Sequence, residues 1–356
     1  MLRGIVLDMD DDPRTKRLRQ RRAKIVRLMF QLLTVLLICA VTYSFYRAEE
    51  AEAEIDDPLI HVIVLACNRP ETLDLALETW ANVDGIATTP ITVSTDCRHE
   101  QTEIVVQKWQ ASSALKHLRL VHSFQADIIE TGAQQSMTDE RVTRHWLSAV
   151  NRIFANGAEH VIYAEDDHIV TPDFLKSALR IIAAKDSLCP ACFSINMGCR
   201  GDCWGRKSSD PLAVIRMESG NTGVIYERAK WKGFIAQIDT YCNMLGIWDI
   251  NLHIMGALGK VSPLALTYLA SRIHHLTTCY SSRTGIRRQN VNCDHRSEVD
   301  SFVASIGNHG TTLKDNGRAW FNVPSPNYPR ADDTTRRRCL EAPMSIAAPP
   351  ASRISY

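Results

Sequence analysis

Glu165, Asp166, Asp167 and His168 stand in a row directly after the apolar run Val161-Ile162-Tyr163-Ala164. Three adjacent carboxylates repel one another, so a site built on them needs an opposing charge. A hard divalent cation supplies it, because carboxylate oxygens suit Mg2+ and Mn2+. The plainer reading is a solvated acidic turn that helps to start a helix, and short acidic runs often occur without a metal. The apolar run favours the metal, since a strand in front of the carboxylates would hold them at a fixed point.

The elements around this run fit such a role. Val161 to Ala164 has the composition of a strand buried on both faces. Thr171-Pro172-Asp173 is a helix start: Thr caps, Pro suits the first helical position, and Asp favours the positive end of the helix dipole. The carboxylates therefore fall between a central strand and a crossover helix, at the sheet edge where open α/β folds bind ligands. Earlier in the chain, Leu59 to Cys67 predicts a first strand, broken by Asn68-Arg69-Pro70. Glu71 to Trp80 has helical spacing, with Leu73, Leu77 and Trp80 on one face. Ile91 to Ser94 predicts a second strand ending at Asp96, and Val121 lies in a third. Residues 124–138 lack a period and read as a long loop, and Arg141 to Phe154 is helical. The crossover helix runs from Pro172 to about Ala184, and Met217 to Gly223 reads as a turn leading into Val224-Ile225-Tyr226. Trp248-Asp249 opens a further helix. Alternating strand and helix signals predict an α/β fold with a mostly parallel central sheet.

The chain has 356 residues, 45% hydrophobic and 23% charged, with a net charge of +1. That balance argues against nucleic acid as a partner, but it hides a local asymmetry. Residues 1–27 form a basic tail with Arg14, Lys16, Arg17, Arg19, Arg21, Arg22, Lys24 and Arg27. Residues 28–46 form an uncharged apolar run, and an acidic stem follows at 47–58. An apolar run of about 20 residues spans a bilayer, and basic residues stay on the cytosolic side. The expectation is a single-pass anchor with a luminal domain over 59–340 and a disordered tail over 341–356. Of the 11 cysteines, Cys39 lies in the run, leaving 11 − 1 = 10 on the luminal side. In an oxidising compartment disulfides are the default. The cluster Cys189, Cys192, Cys199 and Cys203 also admits a zinc knuckle.

Several separated pieces together resemble the β-1,2-N-acetylglucosaminyltransferase II family. They are Asn68-Arg69-Pro70-Glu71, Ser94-Thr95-Asp96, Glu165-Asp166-Asp167-His168 with Pro172-Asp173-Phe174, and Cys189-Pro190-Ala191-Cys192. Asn221-Thr222-Gly223, Asp239-Thr240-Tyr241-Cys242, Trp248-Asp249 and Arg272-Ile273-His274-His275 follow in the same order. The resemblance implies a GT-A fold, a UDP-GlcNAc donor, a mannose-terminated N-glycan acceptor on its α-1,6 arm, Mn2+, and a Golgi membrane location. It implies Asp167 and His275 as metal ligands, with Glu165 and Asp166 beside them. It places Asn68, Arg69, Pro70 and Asp96 on the uridine end of the donor and Asp249 as the general base. It also implies the disulfides Cys189–Cys192, Cys242–Cys339 and Cys279–Cys293. Four cysteines then remain. Because Cys67 and Cys97 end neighbouring strands, the expected pairs are Cys67–Cys97 and Cys199–Cys203. Asn243 to Ile247 and Gln135 to Asp139 depart from the family pattern.

The chemistry implied is inverting transfer. The departing diphosphate is neutralised, a carboxylate deprotonates the acceptor hydroxyl, and no covalent enzyme intermediate is required. Each residue also has a plainer role. Asp249 can start a helix, His275 can be an ordinary surface histidine, Asp96 can hold a turn, and Arg69 can pair with a nearby carboxylate. Two alternatives stand beside this reading: N-acetylglucosaminyltransferase I-like activity on the α-1,3 arm, and a membrane-anchored carbohydrate-binding protein without turnover.

Overall fold

The computed structural model describes Met29, Gln31, Thr34 and residues 60–123, 134–198, 212–218, 220, 222–244, 246, 248–276, 294–304, 314–318 and 330–342. The chain divides into two units, Met1–Asp57 and Pro58–Tyr356. In the first, only Met29, Gln31 and Thr34 are described, and all three are helical and exposed. The expected membrane span, its basic tail and its acidic stem therefore lie outside the described residues. No helix among the described residues is long and apolar enough to cross a membrane.

The second unit opens with β1 (Ile60–Ala66), α1 (Pro70–Ala81), β2 (Ile91–Thr95), α2 (Glu100–Gln110), β3 (Leu118–His122) and α3 (Gln134–Ala155). β4 (His160–Glu165), β5 (His168–Val170), α4 (Phe174–Leu188), β6 (Ser194–Asn196), β7 (Ala213–Glu218) and β8 (Val224–Glu227) follow. The chain continues through α5 (Arg228–Ile235), α6 (Ile238–Cys242), α7 (Trp248–Ala257), β9 (Leu264–Tyr268) and β10 (Ile273–His275). α8 (His295–Ala304), β11 (Lys314–Arg318) and α9 (Asp333–Glu341) are the last elements among the described residues. Nine strands form one sheet in the order β11-β7-β9-β6-β8-β4-β1-β2-β3, while β5 and β10 form a separate two-stranded ribbon. β4, β1, β2 and β3 all run parallel, and five of the eight pairings in the large sheet are parallel.

Strand periodicity explains why the centre of this sheet is fixed. On β1, Val62 and Val64 enter one apolar cluster while Ile63 and Leu65 enter the other. On β4, Ile162 and Ala164 face the first cluster, and Val161 and Tyr163 the second. Leu73, Leu77 and Trp80 of α1 and Phe174, Ala178 and Ile181 of α4 cover the first face. Trp146, Leu147, Val150 and Ile153 of α3 cover the second. Fully burying one such side chain contributes about 1.5–3 kcal/mol. This apolar platform holds the acidic turn in place.

Several boundaries differ from the sequence reading. α3 begins at Gln134, inside the stretch read as a loop, because Gln and Met are good helix formers and no Gly or Pro interrupts 134–155. Met217 and Glu218 belong to β7, so the turn before β8 is shorter than expected. α4 starts at Phe174, after Thr171-Pro172-Asp173. Asp173 occupies the cap position without a side-chain capping bond, because its carboxylate is engaged by Thr171, Ser177 and Arg272.

Among the described residues three disulfides are present: Cys67–Cys97, Cys189–Cys192 and Cys242–Cys339. The bond between Cys189 and Cys192 removes both thiolates from any zinc knuckle. Cys199, Cys203, Cys279 and Cys293 lie outside the described residues.

Candidate active site

The parallel register brings separated residues to one edge of the sheet. Leu65 of β1 is level with Glu165 of β4, and Ala66 with Thr95 of β2. The residues that follow these strands therefore meet: Asn68-Arg69-Pro70, Asp96, and Asp166-Asp167. Asp166 is tied back to β1, its N–H donating to Leu65 O at 2.9 Å. Asn68 is exposed, and Pro70 opens α1.

Arg69 spans the acidic pair, donating from Nη2 to Asp166 and from Nη1 to Asp167. It thus offsets part of the negative charge of the acidic turn. Burial works against the guanidinium's charge, but Asp166, Asp167 and Glu165 outweigh it and raise its pKa. Burial pushes Asp166 up to about 6, against the pull of Arg69. It pushes Glu165 up to about 7, with the Asp167 charge adding to the effect. For Asp167 burial is outweighed by Arg69, His168 and His275, and its carboxyl sits below the ordinary range.

The ribbon of β5 and β10 completes the cluster. His275 pairs with His168 across the two strands, so a residue more than a hundred positions along the chain reaches the acidic turn. His275 Nδ1 donates to Leu276 O at 3.0 Å, a bond that in the neutral ring leaves the Nε2 lone pair for the site. Nε2 lies 3.5 Å from Asp167 Oδ2. Its neighbour His274 points the other way and meets Glu298 Oε1 at 2.7 Å. His168 is buried, and that burial pushes its pKa down to about 3. Its Nδ1 accepts from Glu165 N–H at 3.0 Å, which puts the ring proton on Nε2.

Ligand atoms from Glu165, Asp167, His168 and His275 all lie within 4.8 Å of one another. Asp167 Oδ1 is buried and has no hydrogen-bond partner among the described residues. A buried carboxylate oxygen left in this state is costly, and a cation would satisfy it. One carboxylate and one imidazole fit a divalent transition metal. His168 fits less well as a ligand, because its free nitrogen carries the proton.

Two neighbours of the site were not singled out in the sequence. Tyr163 reads there only as core, yet its hydroxyl donates to Glu165 Oε1 at 2.6 Å. The available signal is spacing, since residues two apart on a strand share a face. Arg141 of α3 forms an ion pair with the buried Asp96 at 2.9 Å. Asp249 lies in the first turn of α7, where a negative side chain suits the helix dipole. Its Oδ1 accepts from Ile250 N–H at 2.8 Å. The ring of the preceding Trp248 packs edge-on to Tyr163 with 4.8 Å between centroids. Burial and Glu165 keep the Tyr163 hydroxyl protonated, with a smaller contribution from the charge of Asp249. Trp248, next to Asp249 in the chain, and Glu165 of the acidic turn thus contact the same tyrosine.

Comparison with known proteins gives two family matches. The N-acetylglucosaminyltransferase II (MGAT2) model matches residues 136–316, and the GNT-I family model matches residues 41–196. The alpha-1,6-mannosyl-glycoprotein 2-beta-N-acetylglucosaminyltransferase of Arabidopsis thaliana is 26% identical over 116 residues, 30% of this chain and 26% of that protein. The match therefore spans about a quarter of the relative's length. Among solved structures, S. aureus TarS 1-349 in complex with UDP is 17% identical, covering 69% of this chain and 64% of that one, with a TM-score of 0.38. The mannosyltransferase PcManGT from Pyrobaculum calidifontis, in complex with GDP-Man and Mn2+, is 14% identical. It covers 66% of each chain, also with a TM-score of 0.38. Likeness this distant bears on neither substrate nor site.

Proposed function

The chain belongs to the N-acetylglucosaminyltransferase II (MGAT2) family, and on that premise we propose that it is a metal-dependent glycosyltransferase with a GT-A fold. The reaction is inverting transfer of GlcNAc from UDP-GlcNAc to O2 of a mannose on the α-1,6 arm of an N-glycan. The observation that carries this reading is the juxtaposition of Asp167 and His275 at the carboxyl edge of the parallel strands. One presents a buried carboxylate oxygen without a partner, the other an imidazole nitrogen freed by its neighbour's carbonyl.

In this reading Asp167 and His275 hold Mn2+. Bound there, the ion supplies Lewis-acid stabilisation of the departing diphosphate. Glu165 and Asp166 shape the field around that pair, and Tyr163 holds Glu165 in place. Arg69 keeps the acidic pair neutralised, and with Asn68, Pro70 and Asp96 it lines the donor side of the sheet edge. Asp249 takes the proton from the attacking mannose hydroxyl. A single base and no covalent enzyme intermediate give inversion. The basic tail before the apolar run supports a type II anchor in the Golgi membrane, with the second unit luminal.

A second reading of the acceptor, the α-1,3 arm, is favoured by the GNT-I match over residues 41–196. A sugar-binding protein without turnover is the other alternative. Release of UDP from UDP-GlcNAc, measured with and without a mannose-terminated glycan, separates these readings. Acceptor-stimulated release is expected, with the α-1,6-arm acceptor preferred. No release with any acceptor would refute the enzymatic reading.

A further inference from the structure

Arg272 is fully buried, yet the sequence reading gives it no role. Its guanidinium donates from Nε to Asp173 Oδ2 at 2.9 Å and to Ser177 Oγ at 3.3 Å, and from Nη1 to Ala270 O at 2.8 Å. It also packs against the face of Tyr268, 5.2 Å from the ring centroid, and the Tyr268 hydroxyl donates to Ser177 O at 3.0 Å. Its backbone is held as well: Arg272 N–H donates to Met197 O at 2.8 Å and Thr171 N–H to Arg272 O at 3.1 Å. A charge taken fully out of water is retained only where its partners are well placed. The partners named here include Ala270, just before β10, and Thr171, Asp173 and Ser177, which follow β5.

Those segments also carry the metal candidates. Asp173 and Thr171 follow Asp167 after a few residues, and His275 follows Arg272 by three. At the far end of the ribbon Leu276 N–H donates to Asp167 O at 2.8 Å. The ribbon is therefore fastened at both ends to the stretch that contains Asp167. Between the fasteners lies Ile273, seated in a notch made by two glycines. A Cβ on Gly198 would lie 2.7 Å from Ile273 Cγ2, and one on Gly223 would lie 2.6 Å from it. Gly223 also has φ +60°, a left-handed conformation that glycine adopts without strain.

We propose that Arg272 is a positioning residue of the metal site: by fixing β10 to the Thr171–Asp173 corner it sets the reach of His275 toward Asp167, while Gly198 and Gly223 provide the notch that seats Ile273. The proposal rests on the reading of Asp167 and His275 as metal ligands. The Arg272 fork makes directional contacts that a lysine cannot reproduce. Arg272→Lys therefore keeps the charge but loosens the ribbon.

The test is a titration of the full chain with Mn2+ alone, reading free Mn2+ by EPR and following the melting temperature in parallel. Arg272→Lys is expected to weaken Mn2+ binding by up to about 10-fold, the low end of what losing a direct partner of a metal ligand costs, because Arg272 acts through β10 and touches neither ligand. In a His275→Ala background the same substitution should have almost no further effect on Mn2+ affinity, although it still lowers the melting temperature. A purely structural role would give the same shift in both backgrounds. If Arg272→Lys does not fold, Asp173→Asn keeps the shape of the corner, weakens the pair, and must show the same dependence on background. If His275→Ala weakens Mn2+ binding but the Arg272→Lys shift is absent or additive, the positioning role is overturned and the metal reading stands. If His275→Ala leaves Mn2+ affinity unchanged, the metal reading fails and this proposal fails with it.

Discussion

Glu165→Gln is expected to stabilise the metal-free protein at alkaline pH. Glu165 is buried beside Asp167, and its pKa is raised from 4.5 to about 7 in the fold. A raised carboxyl binds its proton more tightly folded than unfolded. Below pH 4.5 both states are protonated and the group has no effect. Between about 4.5 and 7 the fold holds more protons than the unfolded chain, so stability falls as pH rises. Above 7 the whole cost is present. Each unit is worth 1.36 kcal/mol, which gives about 3 kcal/mol for a shift from 4.5 to about 7. The amide of glutamine still accepts the Tyr163 hydroxyl, so that bond is retained while the charge is removed. Urea unfolding in chelator at pH 8 should show the variant more stable by about 3 kcal/mol, and at pH 5 by less than about 1 kcal/mol. Saturating Mn2+ should reverse the order, since the ion binds the charged cluster and stabilises the wild-type fold more. A variant destabilised equally at pH 5 and pH 8 would refute the buried-charge account of the acidic turn.

Two further predictions concern the metal and the membrane. Asp167→Ala and His275→Ala should each weaken Mn2+-dependent binding of UDP measured by calorimetry, whereas His274→Ala, whose ring meets Glu298, should keep it. The opposite pattern for the two histidines would mean that the ribbon is out of register. Protease treatment of sealed microsomes should remove the N-terminal basic tail and spare residues beyond about 50, and digestion of the second unit would reject the luminal topology.

The central sheet and its acidic edge were legible because they rest on local signals. Leu59 to Cys67 reads as a first strand and Val161 to Ala164 as a strand buried on both faces, and the carboxylates follow the latter directly in the sequence. What could not be read was pairing between distant short segments. β5 and β10 are three residues each, too short for a period, and only their pairing brings His275 to Asp167 and His274 to Glu298. The resemblance nominated His275, but no pattern in the residues places it against Asp167. Arg69 shows the same limit, since its position before Pro70 gives a charge but not a partner. Its pairing with Asp166 and Asp167 follows from the β1–β4 register. Tyr163 was absorbed into an apolar run because its ring is core, while its hydroxyl serves Glu165 at the strand's end. Thr171-Pro172-Asp173 was read as a cap because its composition suits one. Arg272, which takes the Asp173 carboxylate instead, lies 99 residues further along the chain.

The most direct test of the proposed chemistry is the kinetics of Asp249→Asn with UDP-GlcNAc, Mn2+ and a mannose-terminated N-glycan. Asparagine keeps the size of the side chain and suits a helix start about as well, but it cannot accept the hydroxyl proton. Loss of a general base costs about 10²–10⁴-fold in rate. The account predicts a fall of that size in turnover, with donor binding, Mn2+ affinity and melting temperature nearly unchanged. Near-normal transfer by Asp249→Asn would contradict it, and would leave Asp249 as an ordinary residue in the first turn of α7.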